Sequence, residues 1–199
     1  MSLAKRFSSM EHYKLVDIAV SDARRLVPGL AAISFYAFHL LHWIKLRKLE
    51  NILWACHIGC LLIGISWLAA WPVGNAIGLL WLLPGIALWL LYLAGGGLFS
   101  WSSFFIHIGG TLLGVWGARV FGFPEGAWWR AGVGYALLIL LSRYVSRTSE
   151  NVNFSRKVWQ GWEKRFPSYR RYLAGLVIGG FALFLVLERL LRQLVPSAS

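Results

Sequence analysis

Acidic residues are scarce in this chain. Eight Asp and Glu stand against twenty Lys and Arg in 199 residues, and none of the eight lies well inside a long apolar run. That excludes the usual carrier design, which places charged residues at the bilayer midplane. It also leaves no carboxylate pair for acid–base chemistry within the membrane. Cysteine is rarer still. Cys56 and Cys60, the two present, lie one helical turn apart, a poor geometry for a disulfide, so two free thiols are expected. Only 14% of the residues are charged, against roughly a quarter in a soluble domain. The first 25 residues hold Glu11, Asp17 and Asp22 and no apolar core of signal-peptide type, so no cleavable leader is expected.

What is abundant is hydrocarbon: 58% of the chain is hydrophobic, with twelve Trp. At 1.5 Å per residue about 20 residues cross a hydrocarbon core of roughly 30 Å. Runs near this length occur at 27–44, 51–71, 74–94, 98–118, 127–145 and 172–191. The expected fold is all-α, a polytopic transmembrane bundle forming a single domain over 1–199. It has six spans, or five if 27–44 is re-entrant. Residues 8–25 mix charge with Tyr13, Val16 and Val20 and read as a separate N-terminal interfacial helix. Pro84 predicts a kink in the third run. In 146–171, Trp159, Trp162, Phe166 and Tyr169 interleave with basic residues. This predicts a basic amphipathic helix near 151–170, capped by Ser149 or Asn151, lying on a lipid surface.

The net charge of +12 belongs to short loops that set topology and meet anionic head groups. Membrane lipids are therefore the expected partners, with another membrane subunit as a further candidate, and no nucleic acid. Six spans place nine Lys/Arg on one side and eleven on the other, too even a split to fix orientation. The slight excess puts the eleven in the cytoplasm, and the expected location is a bacterial cytoplasmic membrane.

The chemistry-bearing groups within the runs are His39, His42, Cys56, His57, Cys60 and His107. Ionisable groups in a membrane interior are costly and point to function. Counted from the span ends, His42 lies about 3 Å deep, His39 about 8 Å, Cys56 and His57 about 8 to 9 Å, and Cys60 and His107 about 13 Å. All six thus fall in one leaflet half, on the side where the basic 146–171 stretch opens. Ser100, Ser103, His107 and Thr111 form one helical stripe, and glycines on both flanking helices allow close packing. The bland alternative is that these polar groups only hydrogen-bond neighbouring helices.

Three chemistries fit the set. In the first, Cys56 or Cys60 is a nucleophile with His57 or His107 as base, acting in acyl transfer or hydrolysis on a lipid. Its head group would be held by Asn151, Asn153, Arg156, Lys157, Arg165, Arg170 and Arg171. In layout this is similar to small multi-pass lipid hydrolases of the androgen-induced-protein kind, which pair a nucleophile and a His on separate helices. In the second, haem or a transition metal is held by His39, His42, His57 and His107; the order Cys56-His57-Ile58-Gly59-Cys60 is wrong for covalent haem attachment. In the third, the protein is a non-catalytic accessory or assembly subunit, its Trp belts and Gly seams packing against a larger complex.

Overall fold

The computed structural model describes residues 3–195, with side chains from residue 23 onward. Among the described residues the chain is helical, without strands. Six helices carry the described residues: α1 Leu3–Lys45, α2 Ala55–Ala69, α3 Pro72–Ala94, α4 Trp101–Phe121, α5 Ala127–Val145 and α6 Tyr169–Leu194. Four stretches are long and apolar enough to cross a membrane: Ala23–Lys45 within α1, α3, α4 and α6. At 15 residues α2 is shorter, and the 19-residue α5 carries Arg130 and Arg143.

Two expectations are corrected. The first concerns the N-terminus: residues 8–25 run without a break into the first span as one 43-residue helix. The helix accommodates Pro28 internally. The second concerns 151–170, which is not an amphipathic helix. A three-residue 3-10 turn, Val152–Phe154, is followed by turns and bends up to Tyr169. Asn151, Asn153 and Phe154 have φ of 46°, 52° and 57°, and Gly161 has φ 88°. Left-handed backbone of this kind ends a helix. Asn tolerates it because its side chain bonds nearby backbone instead. Asn151 accepts at Oδ1 from the backbone N–H groups of Arg156 and Lys157, both at 3.0 Å.

Helix α3 lies at the centre, packed on α2, α4 and α5, while α1 lies against α2 and α4 and α6 rests mainly on α5. The α2–α3 crossing is set by glycine: a Cβ on Gly59 would stand 2.8 Å from the Gly78 carbonyl oxygen. Backbone thus meets backbone, the small-residue packing that holds helices together in lipid. The start of α5 is fixed by the one acid near the end of the last run. Glu188, 4% exposed, accepts from Gly126 N at 2.9 Å and Trp128 N at 2.7 Å. A carboxylate there satisfies free amides at the positive end of the helix.

One end of the bundle is strapped shut. Lys48 pairs with Glu150 at 3.0 Å, and Arg147 pairs with Glu50 at 2.5 Å while donating to Arg47 O. These contacts join the α1–α2 connection to the α5–α6 connection. The hydrogen bond from Arg147 holds Glu50 below its usual carboxylate range. Burial raises Glu150, but hydrogen bonds from Asn51 and Lys48 outweigh it and leave that carboxyl lowered too. The strap lies directly over the buried polar cluster.

Candidate metal centre

Four imidazoles line up beneath the strap. His39 on α1 and His57 on α2 face one another with Nε2 atoms 3.1 Å apart and ring centroids 4.2 Å apart. The His57 ring is 6.0 Å from that of His107 on α4. His42 stacks on His39 at 6.0 Å from the half-buried side. One donor atom each from Cys56, His57 and His107 lies within 4.8 Å of the others. His39, His57 and His107 are all buried, at 2%, 5% and 4% exposure.

Local structure explains each position. His57 stands in the first turn of α2, and its Nδ1 lies 2.8 Å from the Asn51 carbonyl oxygen. Asn51 is itself held by the strap, its amide donating to Glu150 at 2.8 Å, while its side-chain oxygen accepts from Trp54 Nε1. His107 falls in a π-helical turn, Phe105–Gly109, inside α4. Such single-turn expansions recur at functional sites. Its Nδ1 lies 2.9 Å from the Ser103 carbonyl oxygen, and its ring stacks on Trp89 of α3 at 5.2 Å and 3°. His39 Nδ1 meets Ser102 Oγ at 2.9 Å, and Trp43 Nε1 donates to His39 Nε2 at 2.8 Å.

These partners fix the tautomers. A carbonyl oxygen only accepts, so Nδ1 of His57 and of His107 must carry its proton. Because His39 Nε2 accepts from Trp43, the His39 proton also sits on Nδ1. Each of the three neutral rings is left with its lone pair on Nε2. The His39 lone pair is taken by the Trp43 N–H, and His57 Nε2 lies 3.1 Å from the same nitrogen, so with Trp43 displaced the two Nε2 atoms could donate to one cation.

The two thiols part company. Cys56 joins the cluster and also lines an apolar cavity. Cys60 does not join it. One turn further along α2, it is fully buried, its Sγ facing Ala32 O at 3.5 Å beneath Gly110. Among the described residues no hydrogen bond joins Cys56 Sγ to an imidazole.

The expected head-group residues also divide. Asn153, 1% exposed, is structural: it accepts from Ala55 N at 2.9 Å and donates to Leu53 O at 2.7 Å and Ser142 Oγ at 3.0 Å. Asn151 is likewise spent on the loop, donating to Lys157 O. Arg156 donates through Nη2 to Ser146 O, and its buried Nε has no partner. Lys157, Arg165, Arg170 and Arg171 are exposed.

Trp43, Trp89 and Ser102 were missed from sequence. A signal existed for Trp43, four residues after His39 and so on the same helix face. Ser102 reaches His39 from α4, while Ser103, as its helical spacing predicts, meets His107.

The chain matches no known protein-family model, and comparison with curated proteins and with solved structures finds no match either.

Proposed function

We propose that this is a multi-pass membrane protein of six spans whose Cys56, His57 and His107 bind a zinc-type transition metal in one leaflet half, with His39, beside His57, as a candidate fourth ligand. One observation carries the reading: buried imidazoles whose Nδ1–H groups are all tied to oxygen acceptors, which leaves their Nε2 atoms unprotonated, with a Cys56, His57 and His107 donor set within 4.8 Å. Metal-bound histidines characteristically donate their other N–H to such acceptors, which fixes ring orientation and raises basicity. Two nitrogens bound at 2.0–2.1 Å to one tetrahedral ion stand about 3.3 Å apart, close to the spacing of His39 and His57. A mixed imidazole and thiolate set suits zinc or copper. Taking His39 as fourth ligand displaces the Trp43 N–H; leaving it out keeps a position open, as catalytic zinc sites do.

Haem fits less well. At His39 and His57, ring centroids 4.2 Å apart and Nε2 atoms 3.1 Å apart leave no room for a porphyrin between the rings. The second reading, lipid acyl transfer or hydrolysis through Cys56, is favoured by the cavity that Cys56 lines. It lacks the thiol-to-imidazole hydrogen bond that activates such a nucleophile.

Elemental analysis of detergent-purified protein separates the two. The metal reading expects zinc or copper near one per chain in the wild type and its loss in His57→Ala and His107→Ala. Metal-free wild type with lipid turnover abolished by Cys56→Ala would replace it with the nucleophilic reading.

A further inference from the structure

Helices α3 and α6 diverge, and the space between them is a partly open cavity of about 760 Å³. Cys56 stands at its inner wall, beside Trp81, Pro84 and Tyr135. On α6 the lining runs from Tyr172 to Leu187, about 22 Å along the helix axis. That is longer than one leaflet's share, about 15 Å, of the hydrocarbon core. Its roof is the 151–168 loop, where Phe154, Trp159, Trp162 and Phe166 form a continuous stack with centroid spacings of 5.1, 6.4 and 6.0 Å. The volume would take on the order of 25 waters at about 30 Å³ each, yet each water needs two to four polar partners. The lining is almost wholly apolar and offers few.

We infer that this cavity receives one hydrocarbon chain of an anionic amphiphile from the bilayer, with its head at the basic roof and its chain passing Cys56. Shape and lining select the chain, and the surrounding membrane supplies it. Charge selects the head: the roofing loop 151–168 holds Arg156, Lys157, Lys164 and Arg165 against one acid, Glu163. Arg165 lies 5.5 Å from the Trp162 ring beside the stack, and the buried Arg156 Nε is without a partner. As a statement of substrate class this rests on the metal reading, because Cys56 is the side chain common to cluster and cavity.

The test blocks the cavity without touching the cluster. A Cβ at Gly179 meets nothing within 4 Å, and one at Gly175 meets only Phe166 at 3.6 Å, so Gly179→Trp and Gly175→Leu fill the space from α6. The protein in phosphatidylcholine vesicles is irradiated with a trace of diazirine-bearing palmitate, or of phosphatidylglycerol carrying the same chain. Crosslinked peptides and bound metal are then measured on the same samples. Excluding even two methylenes weakens chain binding about tenfold, so saturable crosslinking to the Leu176–Leu183 segment should fall by that order in both variants with metal content unchanged. The probe that labels identifies the amphiphile as a free fatty acid or a phospholipid. Equal labelling in wild type and both variants, or saturable labelling by neither probe, overturns the inference. Labelling of a metal-free wild type leaves the chain site standing and removes the metal reading instead.

Discussion

Asn153 offers the sharpest test of how the loops build the site. Helix α2 begins at Ala55 with no capping side chain from its own N-cap, Trp54. Its first amide is satisfied instead by Asn153, from 98 residues away. The same side chain donates to Leu53 O and Ser142 Oγ. Asn153→Ala removes all three bonds and places Ala at φ 52°. Each buried group left unpaired costs about 1–3 kcal/mol, and left-handed backbone adds about 1–2 kcal/mol. Because two of the bonds are only part-buried, about 3 kcal/mol is the working total. For a chain of this size that lowers Tm by about 6–12 °C. The readout is intrinsic Trp fluorescence during heating in detergent, at matched scan rates because unfolding of such proteins is often irreversible. Ser142→Ala, which removes one of the three bonds, should shift Tm by about a third as much. A Tm for Asn153→Ala within about 2 °C of wild type, together with weaker binding to anionic vesicles, would return Asn153 to the head-group role and refute its structural one.

The strap predicts a pH dependence. Glu50 and Glu150 both titrate lower when folded than their ordinary value of 4.5, so their contribution is complete above that pH and fades as pH falls through the lowered values. Wild-type Tm should drop below pH 4.5 more steeply than that of a Glu50→Gln, Glu150→Gln double variant; parallel curves would show that the strap adds nothing. Gly59→Ala puts a Cβ 2.8 Å from Gly78 O, so overpacking of about 1–3 kcal/mol should lower Tm by several degrees, and an unchanged Tm would mean that α2 and α3 are not in backbone contact. Cys60→Ser should leave metal content unchanged while Cys56→Ser lowers it; equal loss in both would place Cys60 at the site.

Much of the helical framework could be read from hydropathy. The 127–145 run coincides with α5, and 74–94 differs from α3 by two residues at one end, because apolar stretches bounded by Gly, Pro and charge have few other ways to satisfy their backbone. The gathering of the imidazoles was legible too, since rise per residue brings positions on neighbouring helices to one level once helices are assigned. The 151–170 stretch was not. Its aromatic and basic spacing is helical, but Asn151 and Asn153 commit their side chains to backbone partners, one of them on a distant helix, and that long-range demand overrides local pattern. The stripe through Ser103 and His107 holds, but Ser102, one position round the helix, meets His39 on α1 instead, a partner that periodicity on one helix does not reveal. Cys56 and Cys60 shared a face on paper, yet one turn of rise directs the first towards His57 and the second towards Ala32.

A cobalt titration of the purified protein bears most directly on the metal centre. With Cys56, His57 and His107 as ligands, Co²⁺ should bind at one per chain and give visible d–d bands of tetrahedral intensity. A near-ultraviolet thiolate-to-cobalt band should accompany them and vanish in Cys56→Ser. A wild-type protein that stays colourless at saturating Co²⁺ and contains no zinc or copper would contradict the account.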